Sequence, residues 1–77
     1  MENLIGSLGR AVMEGEPEVA EESAKAALRA GLDPIRALEE GLLTAIRKVG
    51  EGFGTGDVFL PELILAANAC KAGASVL

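Results

Sequence analysis

Ile35, Leu38, Leu42, Ile46, Val49 and Phe53 follow one another at steps of three, four, four, three and four. A stripe of that period lines one side of a helix and fits no strand. It is sustained over five turns and begins on a strong start signal. Asp33 is a good N-cap, and Pro34 suits a first helical position because its missing N–H has no partner there. Arg47 and Lys48 fall toward the C-terminal end, where the helix dipole favours cations. Gly41 interrupts the stripe at a cost of about 1 kcal/mol against alanine, which predicts close packing against a neighbouring helix.

Three other segments carry the same period. In residues 2–13, Leu4, Ile5, Leu8, Ala11 and Val12 form a face, weakened locally by Gly6 and Gly9, and Gly15 is a stop. In residues 16–30, Pro17 opens a helix, Glu16, Glu18, Glu21 and Glu22 crowd its first turns, and Gly31 closes it. Its buried face is predicted as Val19, Ala20, Ala24, Ala27 and Leu28, with Glu21 and Lys25 spaced for an ion pair. In residues 60–75, Leu60, Leu63, Ile64, Ala67, Cys70 or Lys71 and Ala74 follow the period, and Pro61 marks the first turn. The many alanines make this last helix thin enough for close contact. No period-two alternation occurs. The fold predicted is all-α, an up-and-down four-helix bundle.

With 77 residues there is one domain at most, and its stability margin is thin. Apolar residues make up 49% of the chain, which argues against disorder, but only two are aromatic, so the core relies on small side chains. The charge of −5, from twelve acids and seven bases, disfavours nucleic acid and gives no polybasic patch for an anionic membrane. No apolar run reaches the roughly 18 residues of a membrane span. The start Met1-Glu2-Asn3 lacks the basic character of a signal peptide. Histidine is absent, so a histidine metal site or a serine–histidine triad cannot be built within the chain. The lone Cys70 closes no intrachain disulfide, which fits a reducing, cytoplasmic setting. On an alanine-rich helix with no histidine to activate it, it reads as a small core residue. Val76 and Leu77 keep the chain apolar to its end, as in a helix continued by something further or docked elsewhere.

Residues 49–63 hold four of the ten glycines and both phenylalanines. The run Gly50-Glu51-Gly52-Phe53-Gly54-Thr55-Gly56 matches neither phosphate-binding glycine pattern, and no strand precedes it. The pairs Glu21-Glu22 and Glu39-Glu40 diverge by about 100° on a helix and form no acid–base dyad. An acyl-carrier role is excluded because Ser7, Ser23 and Ser75 lack the required Asp-Ser-Leu setting. The segment reads instead as a glycine-rich hinge between two helices. Phe53 and Leu60 at its ends have two readings: core residues extending each helix's stripe, or a cover for a planar apolar ligand, with glycines allowing close approach.

At these residues the sequence resembles a known family. Asp33-Pro34, Gly41-Leu42, Val49-Gly50-Glu51-Gly52-Phe53, Gly56-Asp57-Val58-Phe59-Leu60-Pro61-Glu62-Leu63 and Ala66-Ala67 follow the helical cap domain of corrinoid proteins. These serve methanol, methylamine and methoxy-aromatic methyltransferase systems, and the cap of cobalamin-dependent methionine synthase is related. The resemblance runs over residues 4–77. It implies a cap that covers the upper face of methylcobalamin and gates methyl transfer, with Phe53, Leu60 and Leu63 against the corrin. It implies as partners an α/β cobalamin-binding domain and a cognate methyltransferase, and Gly50, Gly52, Gly54 and Gly56 as points of local adjustment. The Asp-x-His-x-x-Gly motif of the α/β domain, source of the lower cobalt ligand, is missing from these residues. The chain is therefore expected to be no enzyme in itself and to bind cobalamin weakly alone. The alternative is a non-catalytic helical interaction module, a homodimer formed through the exposed cap surface.

Overall fold

The computed structural model describes residues 3–77 and is the predicted up-and-down four-helix bundle, 37 × 22 × 18 Å. Helix α1 is Leu4–Met13, α2 is Pro17–Arg29 and α4 is Leu60–Val76. Between α2 and α4, α3 runs without a break through Pro34–Arg36, Ala37–Leu43 and Thr44–Thr55. The expected start of α1 at Glu2 lies outside the described residues. Asn3 caps that helix by accepting from the Gly6 N–H at 2.8 Å.

Three helices end in the same way. Gly15, Gly31 and Gly56 each take a positive φ, of 67°, 82° and 89°. At each, the glycine N–H donates to the carbonyl three residues back, and the next N–H donates to the carbonyl five residues back. This pairing satisfies carbonyls that the helix end would otherwise orphan, and the left-handed position suits only glycine without strain. A proline opens each following helix, at Pro17, Pro34 and Pro61. At α3, Asp33 Oδ1 also accepts from the Ile35 N–H at 2.9 Å.

The core is built from small residues and a few leucines. Leu8, Leu42 and Val12 are the largest wholly buried side chains, each worth about 1.5–3 kcal/mol against exposure. Glycines bring the helices close to them. A Cβ on Gly41 would lie 2.9 Å from Leu8 Cβ, and one on Gly73 would lie 3.0 Å from Leu42 Cδ2. The predicted packing role of Gly41 is thus found. Ala11, Ala20 and Ala69 form a second small cluster where α1, α2 and α4 meet.

Several expectations need correction. The middle of α3, Ala37–Leu43, is a π-helix, closed where the Thr44 N–H and Oγ1 both donate to the Glu39 carbonyl, the hydroxyl at 2.8 Å. Buried Ala37, Gly41, Ala45 and Val49 recur every fourth residue. A regular α-helix would drift about 40° at each such step, and the wider turn absorbs part of that drift. Ile35, predicted to start the buried stripe, is 61% exposed. On α2 the predicted Ala20, Ala24 and Ala27 are buried, but Val19 and Leu28 are exposed. Lys25 lies 3.9 Å from Glu22 rather than pairing with Glu21. On α4 the buried residues are Ala66, Ala69 and Gly73, while Leu60, Ile64 and Ala67 face outward. Close approach to α2 selects the smallest side chains, so the buried face is turned away from the larger ones. Val76 and Leu77 pack against the core of this bundle.

Candidate functional site

The hinge expected across residues 49–63 is shorter in the structure. Gly50, Gly52 and Gly54 are helical residues of α3, and the chain leaves the helix only at Gly56. The corner that follows is tightly built. The Gly52 carbonyl accepts from the N–H groups of Asp57 and Val58 at 2.8 and 3.0 Å. The Thr55 hydroxyl lies 3.1 Å from that same carbonyl and 3.0 Å from Asp57 Oδ2. Val58 turns inward against the core. Phe59 then caps α4, its N–H donating to Glu62 Oε1 at 3.1 Å. This side-chain bond satisfies a donor at the helix start, where the dipole also favours the carboxylate. The Leu-Pro-Glu of the motif therefore has a local structural reason.

Apart from Val58 and Leu63, the corner leaves its apolar residues outside the core. Phe53 is 43% exposed, Phe59 71%, Leu60 53% and Ile64 51%. Of the three residues singled out from sequence, Phe53 and Leu60 lie on this surface. Leu63 is half-buried and packs against the core. Phe59 and Ile64 were not singled out. The available signal was that Phe59 sits at a cap position, where no helical stripe demands a large apolar side chain. A separate cleft of about 300 Å³ lies between α1 and α3, lined among others by Arg10, Met13, Gly41 and Lys48, and the corner takes no part in it.

Large exposed apolar side chains close together in sequence on a small bundle are where a covering ligand or partner is sought. Phe53, Phe59, Leu60 and Ile64 carry no charge. They offer no ligand to a metal. Among the described residues no cluster of three or more acidic or cysteine side chains could hold a metal ion. Cys70 is half-buried on α4, its Sγ 3.9 Å from the Leu42 carbonyl, and burial pushes its thiol pKa up. No helix among the described residues is long and apolar enough to cross a membrane.

Comparison with known proteins agrees with the sequence motif. The family described as B12 binding domain matches residues 4–77. The trimethylamine corrinoid protein of Methanosarcina barkeri is 40% identical over 76 residues, covering 99% of this chain and 35% of the relative. The methanol–corrinoid protein of M. barkeri is 32% identical over 72 residues, covering 94% of this chain and 28% of the relative. The solved structure of the M. barkeri monomethylamine corrinoid protein superposes with a TM-score of 0.91 at 26% identity, over 96% of this chain and 35% of that one. The chain thus spans about a third of the length of the relatives it matches. The motif around the α3–α4 corner, the four-helix fold and these relatives converge: the chain belongs to the B12 binding domain family.

Proposed function

We propose that this chain is the helical cap of a corrinoid methyl-carrier system, covering the upper face of a methylated corrinoid and gating access by a partner methyltransferase. The observation that carries this reading is the α3–α4 corner, where Phe53, Phe59, Leu60 and Ile64 stay exposed on a bundle that buries smaller residues. The bound corrinoid supplies a cobalt centre able to carry a methyl group. The chain's own part is to exclude water from that face with Phe53 and Leu60, with Leu63 behind them. The lower cobalt ligand comes from an α/β cobalamin-binding domain, since histidine is absent here. The cap is no catalyst in this reading and binds corrinoid tightly only together with that domain.

The test joins the chain to the methylcobalamin-loaded α/β domain of the trimethylamine corrinoid protein and follows photolysis. Phe53→Ala and Leu60→Ala are expected to speed photolysis several-fold. Unchanged rates in both would overturn the capping role. The same exposed corner also supports self-association of the free chain. Sedimentation at high concentration separates the two readings: a dimer lost in L60A, together with photolysis insensitive to F53A, favours an interaction module.

A further inference from the structure

Three glycines occupy alternate positions in the last turns of α3, and at only one of them would a Cβ meet a neighbour. A Cβ on Gly50 or Gly54 would meet nothing within 4 Å. A Cβ on Gly52 would lie 2.6 Å from Val58 Cγ2 and 3.5 Å from Val58 Cβ. The first distance is far inside van der Waals contact, and the second is ordinary contact. Val58 has little freedom to give way. Its χ1 is restricted by β-branching, and its side chain packs against the core. Gly52 also accepts the Asp57 and Val58 N–H groups at its carbonyl, so backbone and side chain of the corner both converge on this residue.

The order along the chain gives this contact a consequence. Gly52 adjoins Phe53, Val58 adjoins Phe59, and Phe59 is held to α4 by Glu62 at 3.1 Å, with Leu60 next. We infer that Gly52, Val58 and Glu62 form a latch that fixes Phe59 and Leu60 relative to Phe53, making them positioning residues of the apolar corner. None of the three needs to touch a ligand. Gly52 removes the atom that would push Val58 outward, Val58 anchors the corner to the core, and Glu62 ties the start of α4 to the corner. The functional role of the latch rests on the capping reading. Its geometry does not.

Two readouts keep these apart. On the isolated 77-residue chain, the methyl resonances of Leu60 report the corner. Gly52→Ala is expected to move them. Gly52→Ala combined with Val58→Ala is expected to return them toward the position seen in V58A alone, because V58A removes Cγ2 and leaves only the 3.5 Å contact to Cβ. Gly50→Ala is expected to leave them in place. In the fusion with the methylcobalamin-loaded α/β domain, G52A is expected to lose photolysis protection to the extent F53A does, and the double variant to lose no more than V58A does alone. Should G52A fail to fold, Glu62→Ala carries the test without added bulk, and its Leu60 resonances are expected to shift in the same direction. Leu60 signals unmoved in G52A, or in E62A where that variant carries the test, overturn the latch. Signals that move but are not returned by V58A overturn it as well. Photolysis that responds to F53A but not to G52A overturns its positioning role. Photolysis insensitive to F53A overturns the capping reading, and the role of the latch in it, while the resonances still decide the geometry.

Discussion

The α1–α2 corner and the α3–α4 corner are built on one backbone device and differ in length and in what they expose. Both end a helix on a left-handed glycine, Gly15 or Gly56, with the same pair of hydrogen bonds, and both restart with proline in the first turn. The first corner is short and carries Glu14, Glu16 and Glu18 into solvent. The second inserts Asp57, Val58 and Phe59 before α4 and leaves Phe53, Phe59 and Leu60 exposed. Helix termination is thus the same physics at both ends. What distinguishes the second corner is the few extra residues, one turned into the core to anchor the rest. The glycines differ as well. Gly15 is packed, its missing Cβ 2.7 Å from Leu65 Cβ, whereas the space beside Gly56 is open.

The sharpest way to break the parallel is substitution at the two corner glycines. Gly15→Ala meets both the left-handed strain and the Leu65 contact, and is expected to destabilise the chain by about 3 kcal/mol. Gly56→Ala meets the strain alone, about 1.5 kcal/mol. Urea unfolding followed by circular dichroism measures both, and equal losses would show that the packing difference has no weight.

A smaller effect of opposite sign is expected just before the second corner. Gly50→Ala and Gly54→Ala add helix propensity where nothing obstructs a Cβ, so each is expected to stabilise the free chain by up to about 1 kcal/mol. A loss at either position would mean that the helix end needs glycine for a reason within the chain. If both variants are stabilised yet protect a corrinoid less well in the fusion, the open faces of these glycines serve close approach from outside.

The smallest effect concerns Cys70, half-buried on α4 against the Leu42 carbonyl and outside both corner segments in sequence. Burial raises its thiol pKa. The folded state therefore keeps that proton to higher pH than the unfolded chain does. The resulting stability is complete below the unfolded thiol pKa of about 8.5 and is lost as pH rises through the folded value. The stability difference between the wild type and Cys70→Ala is expected to shift against the wild type from pH 7 to pH 10, read from urea midpoints. A difference independent of pH would mean that the thiol is not desolvated.

Much of this was legible along the chain because it is local. Asp33-Pro34, Pro17 and Pro61 announce helix starts, and Gly15 and Gly31 announce stops, through bonds that span at most five residues. Phe53 and Leu60 were legible as a pair because both flank the same glycine-rich turn. The phase of α4 was not legible. With Glu62 and Lys71 its only charged residues, the helix is apolar nearly all round, and periodicity cannot say which side goes inward. The π turn left only a faint trace, the two successive steps of four from Leu38 to Leu42 to Ile46.

Four helices, their punctuation and the motif at the last corner are set by the order of residues alone, because capping, left-handed glycine and proline act within a turn or two. Tertiary structure decided which faces are buried and which of the glycines matter. Leu8 against Gly41 and Leu42 against Gly73 are contacts between residues far apart in the chain, set by how closely two backbones approach, and Val58 meets Gly52 where the corner folds back on the end of its helix. A glycine in sequence records only the absence of a side chain. Whether that absence admits a neighbour, as at Gly52, or leaves open space, as at Gly50 and Gly54, depends on what the fold places beside it.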